Sequence, residues 1–163
     1  MAINRTILLV DDSKDDTLLI QRAIIQAGIV NPVQAVDGGE EAIAYLKGDG
    51  KYSDRERYPF PGIILLDLGM PNCDGFEVLH WIRNKLRIQG LLIIVLSRLD
   101  EIRNINRAYA LGANSFLTKP GDPRELKQLI KAFKEYWLLT NKAPPLRQRE
   151  YGEEFDANQW PES

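Results

Sequence analysis

Residues 63–77 read IILLDLGMPNCDGFE, and this stretch decides the fold because an apolar run ends abruptly in a charge. The four aliphatic residues at 63–66 are typical of a strand that is buried on both faces of a sheet. Asp67 follows them directly, although carboxylates are among the side chains least often found in protein cores. A carboxylate in this position needs a partner, which other parts of the chain have to supply.

Four other short runs of apolar or β-branched residues accompany this one: TILLV at 6–10, VQAV at 33–36, LLIIVL at 91–96 and SFLT at 115–118. Each is followed by a segment with helical character, most clearly between Leu126 and Trp137. Five alternations of strand and helix predict an α/β fold of the flavodoxin-like type. Its doubly wound sheet should contain five parallel strands in the order 2-1-3-4-5, with helices on both faces.

Composition places the chain among ordinary globular proteins. Its 163 residues are 44% hydrophobic and 27% charged, and the formal net charge is -2. A nucleic-acid-binding surface would need a basic excess, so no nucleic-acid partner is expected. The N-terminal apolar run is too short for a signal peptide, and no stretch has the length of a membrane span. Together with the single cysteine, Cys73, this predicts a cytoplasmic protein without a membrane partner.

The chain divides into a domain at 1–140 and a polar C-terminal tail at 141–163 that we expect to be flexible or weakly docked, with no output domain. The aromatic residues Tyr151, Phe155 and Trp160 leave partial docking of this tail open. Within the domain, the polar stretch at 48–62 should form a surface loop.

In the predicted strand order, the carboxyl ends of the strands share one rim, where ligands bind in such sheets. Polar residues end four of the strands, namely Asp11, Asp12, Asp67, Ser97 and Lys119. Three carboxylates at close range need a cation, and oxygen ligands suit Mg²⁺. With the ammonium and the hydroxyl, this rim could hold a phosphoryl group on its way to an oxygen nucleophile, for which Asp67 is the natural candidate.

These residues, in this order and at matching strand ends, resemble the receiver domain of two-component response regulators over roughly residues 6 to 138. The loop at 48–62, LGANSFLTKP at 111–120 and EYWLL at 135–139 resemble most the small stand-alone regulators that are paired with cyanobacterial phytochromes and bacteriophytochrome kinases. The resemblance implies a signalling protein rather than an enzyme. A sensor histidine kinase, of phytochrome type, would transfer a phosphoryl group to Asp67.

The resemblance also implies a Mg²⁺ site. Asp12 and Asp67 would bind the ion directly, Asp11 would bind it through water, and the backbone carbonyl of Gly69 would complete the protein ligands. Gly69 departs from the family pattern, which often has a larger polar residue there, and this leaves the phosphoryl group more open to water.

Three further residues take roles in the phosphorylated state by the same resemblance. Lys119 would pair with the phosphoryl oxygens, and its peptide bond to Pro120 would be cis. Ser97 and Phe116 would move together and alter the surface of helix 4, strand 5 and helix 5. Arg98 departs from the usual small residue, and it could either block the site or add a positive contact for phosphate.

Three other interpretations concern function and assembly. The chain could be a degenerate receiver that acts only as an unphosphorylated dimerisation or interaction module. A phosphohydrolase of the haloacid-dehalogenase type is disfavoured, because Gly69 stands where the second aspartate of that family acts as acid and base.

Finally, the consecutive residues 136–139 (YWLL) cannot all face the core, so we expect a homodimer through helix 4, strand 5 and helix 5.

Overall fold

A parallel sheet of five strands forms the centre of the fold. The computed structural model describes residues 5–148. The strands are β1 (Ile7–Val10), β2 (Val33–Val36), β3 (Ile63–Leu66), β4 (Leu92–Ser97) and β5 (Ser115–Thr118). They pair in parallel in the order β2-β1-β3-β4-β5, which confirms the predicted flavodoxin-like topology.

The helices alternate with the strands: α1 (Lys14–Gln26), α2 (Gly39–Lys47), α3 (Gly75–Trp81), α4 (Ile102–Ala110) and α5 (Pro123–Phe133). Two of them continue in π-helical turns, α3 at Ile82–Leu86 and α5 at Lys134–Thr140. Side chains cap three N-termini: Ser13 accepts the Asp16 N–H, Asp74 accepts the Glu77 N–H and Asp122 accepts the Arg124 N–H. None of the helices within residues 5–148 is long and apolar enough to cross a membrane.

The central strands β1 and β3 are continuously apolar because both faces of the sheet are covered there. Alternate residues such as Leu8, Ile64 and Ile93 lie in one hydrophobic cluster with α2, α3 and α4. Their neighbours, such as Ile7 and Ile63, lie in the other with α1 and α5. Side chains of successive strand residues point to opposite faces, so a strand that is buried on both sides has no place for a polar residue until it ends.

The stretch at 48–62 is more structured than the predicted surface loop. It contains a 3₁₀ turn at Gly50–Ser53, and Tyr52 is buried against Tyr45 and Tyr58. Tyr45 Oη donates to the Pro59 carbonyl at 2.7 Å. The Arg55 guanidinium donates to carbonyl oxygens in the last turn of α2, at Tyr45 and Leu46. The aromatic rings and this arginine hold the stretch against the domain, although its polar composition gives no indication of these contacts.

Part of the predicted tail is also held. Arg147–Gln148 pairs in antiparallel fashion with Ile88–Gln89, a short strand just before β4. Arg5 donates to the Pro144 carbonyl at 2.9 Å and to the Gly90 carbonyl at 3.2 Å. Residues 144–148 are therefore joined to the domain by backbone and guanidinium hydrogen bonds. Residues 149–163, with the three aromatic residues noted above, lie outside the described part of the chain.

Tyr45 predicts a loss of stability in alkaline solution. Burial raises the pKa of its phenol from 10.0 to about 12, so the folded chain stays protonated where the unfolded chain ionises. The stabilisation is complete below about pH 10 and is lost as the pH rises to about 12. We expect the free energy of unfolding in urea to fall over this range, and to fall less steeply in Tyr45→Phe. Tyr136→Phe, at an exposed position, should follow the wild type; equal slopes in all three proteins would contradict the prediction.

Candidate functional site

The register of the sheet brings two carboxylates to the same rim. Val10 of β1 pairs with Leu66 of β3 where both strands end, so Asp11 and Asp67 follow at the same level. The Asp67 N–H donates to the Val10 carbonyl at 3.0 Å, which extends the ladder to the charged residue. Gly75 at the start of α3 packs so closely that a Cβ there would collide with the Asp67 carbonyl. The backbone of Asp67 is therefore held from both sides.

β5 delivers a cation to these carboxylates. Lys119 follows the last residue of the strand, and its N–H donates to the Ser97 carbonyl at 2.9 Å. Its Nζ lies 2.6 Å from Asp11 Oδ2, 3.1 Å from Asp16 Oδ2 and 3.7 Å from Asp67 Oδ1. The Lys119 side chain is only 4% exposed, so these contacts are little screened by water.

Lys119 does not fully offset the effects of burial and of neighbouring negative charge on Asp67. Burial raises the pKa of Asp67, and the nearby charge of Asp11 raises it further, although Lys119 and a hydrogen bond from Ser97 oppose the shift. For Lys119, burial lowers the pKa, but the hydrogen bond to Asp11 and the charge of Asp67 outweigh it and the net shift is upward. Lys119 thus stays charged, but its single positive charge does not neutralise both Asp11 and Asp67.

Three of the predicted metal ligands meet. Asp11, Asp12 and Asp67 each offer one carboxylate oxygen, and these atoms all lie within 4.8 Å of one another. Asp11 is buried, Asp67 is half-buried and Asp12 is exposed, so the cluster opens to solvent on the Asp12 side. A set of oxygen donors at one open corner suits Mg²⁺, which keeps several waters when it binds. Gly69, whose carbonyl is the fourth predicted ligand, is exposed two residues beyond Asp67.

Ser97 and Leu99 border the same rim. Ser97 is fully buried, and its Oγ accepts the N–H of Leu99 at 3.2 Å. The Leu99 side chain lies beside Gly69, where a Cβ would stand 3.4 Å from Leu99 Cδ1. The space that glycine leaves open is therefore bordered by an aliphatic side chain.

Two expectations drawn from the resemblance concern β5. Phe116 is half-buried against the cluster on the α2, α3 and α4 face, and its N–H donates to Tyr109 Oη at 3.1 Å. The predicted cis bond between Lys119 and Pro120 is wrong, because no cis peptide occurs within residues 5–148. The trans isomer is the lower in energy at most such bonds, by about 0.5–1 kcal/mol.

Asp16 is a site residue that the sequence did not reveal. It accepts from both Nη atoms of Arg98, at 2.7 and 3.1 Å, while it contacts Lys119. Pairing with Arg98 is the main reason why the pKa of Asp16 is lowered from 3.8 to about 2. In the sequence, Asp16 reads as an acidic residue in the first turn of a helix, and Arg98 beside Ser97 was the only signal of this pair.

Comparison with known proteins agrees with this geometry. The sequence pattern of the response regulator receiver domain matches residues 7–131. The chain is 34% identical over 141 residues to the probable methanogenesis regulatory protein FilR2 of Methanothrix harundinacea, covering 85% of this chain and 86% of that one. It is 32% identical over 140 residues to response regulator Rcp1 of Synechocystis sp., covering 86% of this chain and 93% of that one.

Solved structures give the same result. The phosphorylated cyanobacterial phytochrome response regulator RcpA superposes with a TM-score of 0.79 at 35% identity, over 88% of this chain and 100% of that one. The Mn²⁺-bound form of Rcp1 superposes with a TM-score of 0.77 at 32% identity, over 86% of this chain and 99% of that one.

Receiver domains are generally signalling proteins that interact with histidine kinases, and they bind Mg²⁺ at an acidic pocket. The matched region here includes the acidic rim, the lysine and the serine described above. This chain belongs to the response regulator receiver domain family, and the regulators that it resembles include those of phytochrome systems.

Proposed function

We propose that this protein is the phosphoacceptor of a phosphorelay, in which a sensor histidine kinase of phytochrome type transfers a phosphoryl group to Asp67 and thereby switches protein association. One observation carries the proposal: a cluster of three carboxylates within 4.8 Å stands beside a buried ammonium that lies 3.7 Å from Asp67. The similarity to RcpA and Rcp1 supports the phytochrome-type kinase.

In this proposal, an oxygen of Asp67 attacks the phosphorus of a phosphohistidine. The P–N bond breaks, and the imidazole keeps the electron pair. Lys119, whose Nζ lies 3.7 Å from Asp67 Oδ1, would then pair with the phosphoryl oxygens. Ser97 Oγ, which accepts the Leu99 N–H in this structure, would donate its own hydroxyl proton to the phosphoryl group. Phe116 would move with Ser97 and change the surface of α4, β5 and α5.

Asp12 and Asp67 would hold Mg²⁺ directly, with the Gly69 carbonyl as a further ligand and Asp11 acting through water. Three carboxylates within 4.8 Å of one another, with the Lys119 ammonium 3.7 Å from Asp67, support the binding of a second cation here. Bound Mg²⁺ would supply the positive charge that offsets the phosphoryl oxygens during transfer.

Two alternatives make different predictions. A phosphohydrolase would need a proton-transfer group two residues beyond Asp67, where this chain has Gly69 with Leu99 beside it. An unphosphorylated interaction module would share the same fold without using Asp67, and the phosphoacceptor experiment below separates it from a receiver that is phosphorylated.

The association that is switched would be a homodimer through α4, β5 and α5. Tyr136 and Leu139 are 53% and 50% exposed, although both follow a helix that buries its other face. Beside them is a cavity of about 230 Å³, lined by residues of β5 and the α5 region: Leu117, Leu129, Ala132, Phe133, Tyr136 and Trp137. Apolar exposure around a cavity is typical of an interaction surface.

The phosphoacceptor is tested by intact-protein mass after incubation with acetyl phosphate and Mg²⁺. We expect one added phosphoryl group on the wild type and none on Asp67→Asn or without Mg²⁺. Asp74→Asn is the matched control, because Asp74 lies in the same loop and caps α3, a role that asparagine also fills. An unmodified wild type would favour the interaction module.

Metal binding predicts a thermal shift. At a Mg²⁺ concentration ten times its dissociation constant, binding should stabilise the fold by about 1.4 kcal/mol, or a few degrees in Tm. Asp12→Asn should lose most of this shift, since Asp12 is exposed and its loss should not disturb the core. Asp15→Asn, the neighbouring exposed aspartate, should retain it. An equal shift in both variants would remove Asp12 from the ligand set.

The dimer predicts a concentration-dependent sedimentation coefficient. We expect the wild type to associate at about 30 µM, in the affinity range of a modest interface. The double variant Tyr136→Ser/Leu139→Ser should remain monomeric at that concentration. Ile25→Ser, which changes a 75% exposed side chain on α1, should behave as the wild type. A monomeric wild type would refute the dimer.

A further inference from the structure

Asp16 shares a single oxygen between two cations. Its Oδ2 accepts from Lys119 Nζ at 3.1 Å and from Arg98 Nη1 at 2.7 Å, and its Oδ1 accepts from Arg98 Nη2 at 3.1 Å. The same lysine lies 3.7 Å from Asp67. Asp11 holds the ammonium at 2.6 Å, and beyond that contact Asp16 and Asp67 compete for it, with Asp16 nearer than the proposed phosphoacceptor.

Arg98 weakens the hold of Asp16 on this lysine. A guanidinium that binds both oxygens of a carboxylate neutralises it with favourable geometry. The Arg98 side chain is 52% exposed, but that of Asp16 is only 15% exposed, so the pair acts on a carboxylate that is largely withdrawn from water. Without Arg98, Asp16 would present an uncompensated negative charge to the ammonium.

We propose that Arg98 is a positioning residue for phosphoryl transfer: by pairing with both oxygens of Asp16, it weakens the competing contact between Asp16 and Lys119 and so favours the approach of the ammonium to Asp67 and to the phosphoryl group that Asp67 accepts. The inference rests on the proposed function. In this scheme Arg98 acts through Asp16, which accepts from both of its Nη atoms, rather than by blocking the site or contacting phosphate. Arg98 acts by changing which carboxylate Lys119 contacts.

A second arginine–carboxylate pair provides the control. Arg103 Nε lies 2.9 Å from Glu101 Oε2, with side-chain exposures of 79% and 64%. It stands a few residues beyond Arg98, at the start of α4, so Arg103→Ala removes a similar charge from the same region. A general change in surface charge would affect both arginine variants alike, whereas the proposed positioning role affects Arg98→Ala alone.

The experiment compares phosphoryl transfer from acetyl phosphate in the wild type, Arg98→Ala, Asp16→Asn, Arg98→Ala/Asp16→Asn and Arg103→Ala. Rates are measured over a range of donor concentrations to separate the maximal rate from donor binding. We expect Arg98→Ala to lower the maximal rate roughly two- to fivefold, the equivalent of one partly exposed ion pair. The double variant should recover the wild-type rate, because the competing carboxylate is gone. Asp16→Asn and Arg103→Ala should not be slower than the wild type.

Suppression by the second substitution is the deciding result. If the double variant is as slow as Arg98→Ala, Arg98 acts on the phosphoryl group or on the loop itself, and the inference is wrong. If Arg98→Ala matches or exceeds the wild-type rate, it is also wrong. Thermal unfolding of each variant shows whether a slow protein is still folded at the assay temperature.

A readout without phosphorylation separates this inference from the proposed function. The Cε and Nζ resonances of Lys119, assigned with Lys119→Arg, report the partners of the ammonium in the protein before any transfer. Their chemical shifts should differ from those of the wild type in Arg98→Ala and match them in Arg103→Ala. Unchanged chemical shifts in both variants would overturn the inference. A wild type that accepts no phosphoryl group would refute the proposed function, while these resonances would still decide whether Arg98 controls the position of Lys119.

Discussion

The ion pair between Lys119 and Asp11 is the constraint on which this rim depends. Its 2.6 Å contact joins side chains that are 4% and 2% exposed. Breaking a buried pair of this kind costs about 3–5 kcal/mol, because the remaining charge is left without a partner. Asp11 ends β1 and Lys119 follows β5, so the pair joins two strands that are not neighbours in the sheet. The charge at the end of the buried β3 strand is tolerated because this ammonium is already in place.

The same arrangement leaves more negative than positive charge at the rim. Asp11, Asp16 and Asp67 all lie within 4 Å of one ammonium, and Arg98 forms an ion pair with Asp16. Burial raises the pKa of Asp67, and the charge of Asp11 adds to this shift. In the proposed function, a bound metal ion or a phosphoryl group would redistribute the partners of Lys119, because three carboxylates contact this one ammonium. The excess of carboxylates around Lys119 thus lowers stability and also makes the rim sensitive to an added charge.

Much of the fold and the rim follows from the sequence because both depend on local patterns. The five apolar runs specify the strands, and parallel order places Asp11, Asp67, Ser97 and Lys119 at one edge. The pair between Asp16 and Arg98 was not predictable, since the two residues are 82 positions apart and Asp16 reads as part of a helix N-terminus. The held segment at 144–148 was missed for a related reason: its partners include carbonyl oxygens, which every residue carries.

The elements around the rim differ in how firmly they are packed, which bears on where a change of charge at Asp67 would be expressed. β1 is fixed at its carboxyl end by Asp11 and is preceded by Arg5, which binds the segment at 144–148. α4 buries only Ala108 within the described chain, whereas each of the other four principal helices buries at least three residues. Elements with few buried contacts open at the lowest free energy. In the proposed function, a rearrangement of the Lys119 partners would reach this helix and the neighbouring β5 surface most easily, because Ser97 and Arg98 lead toward α4 along the chain.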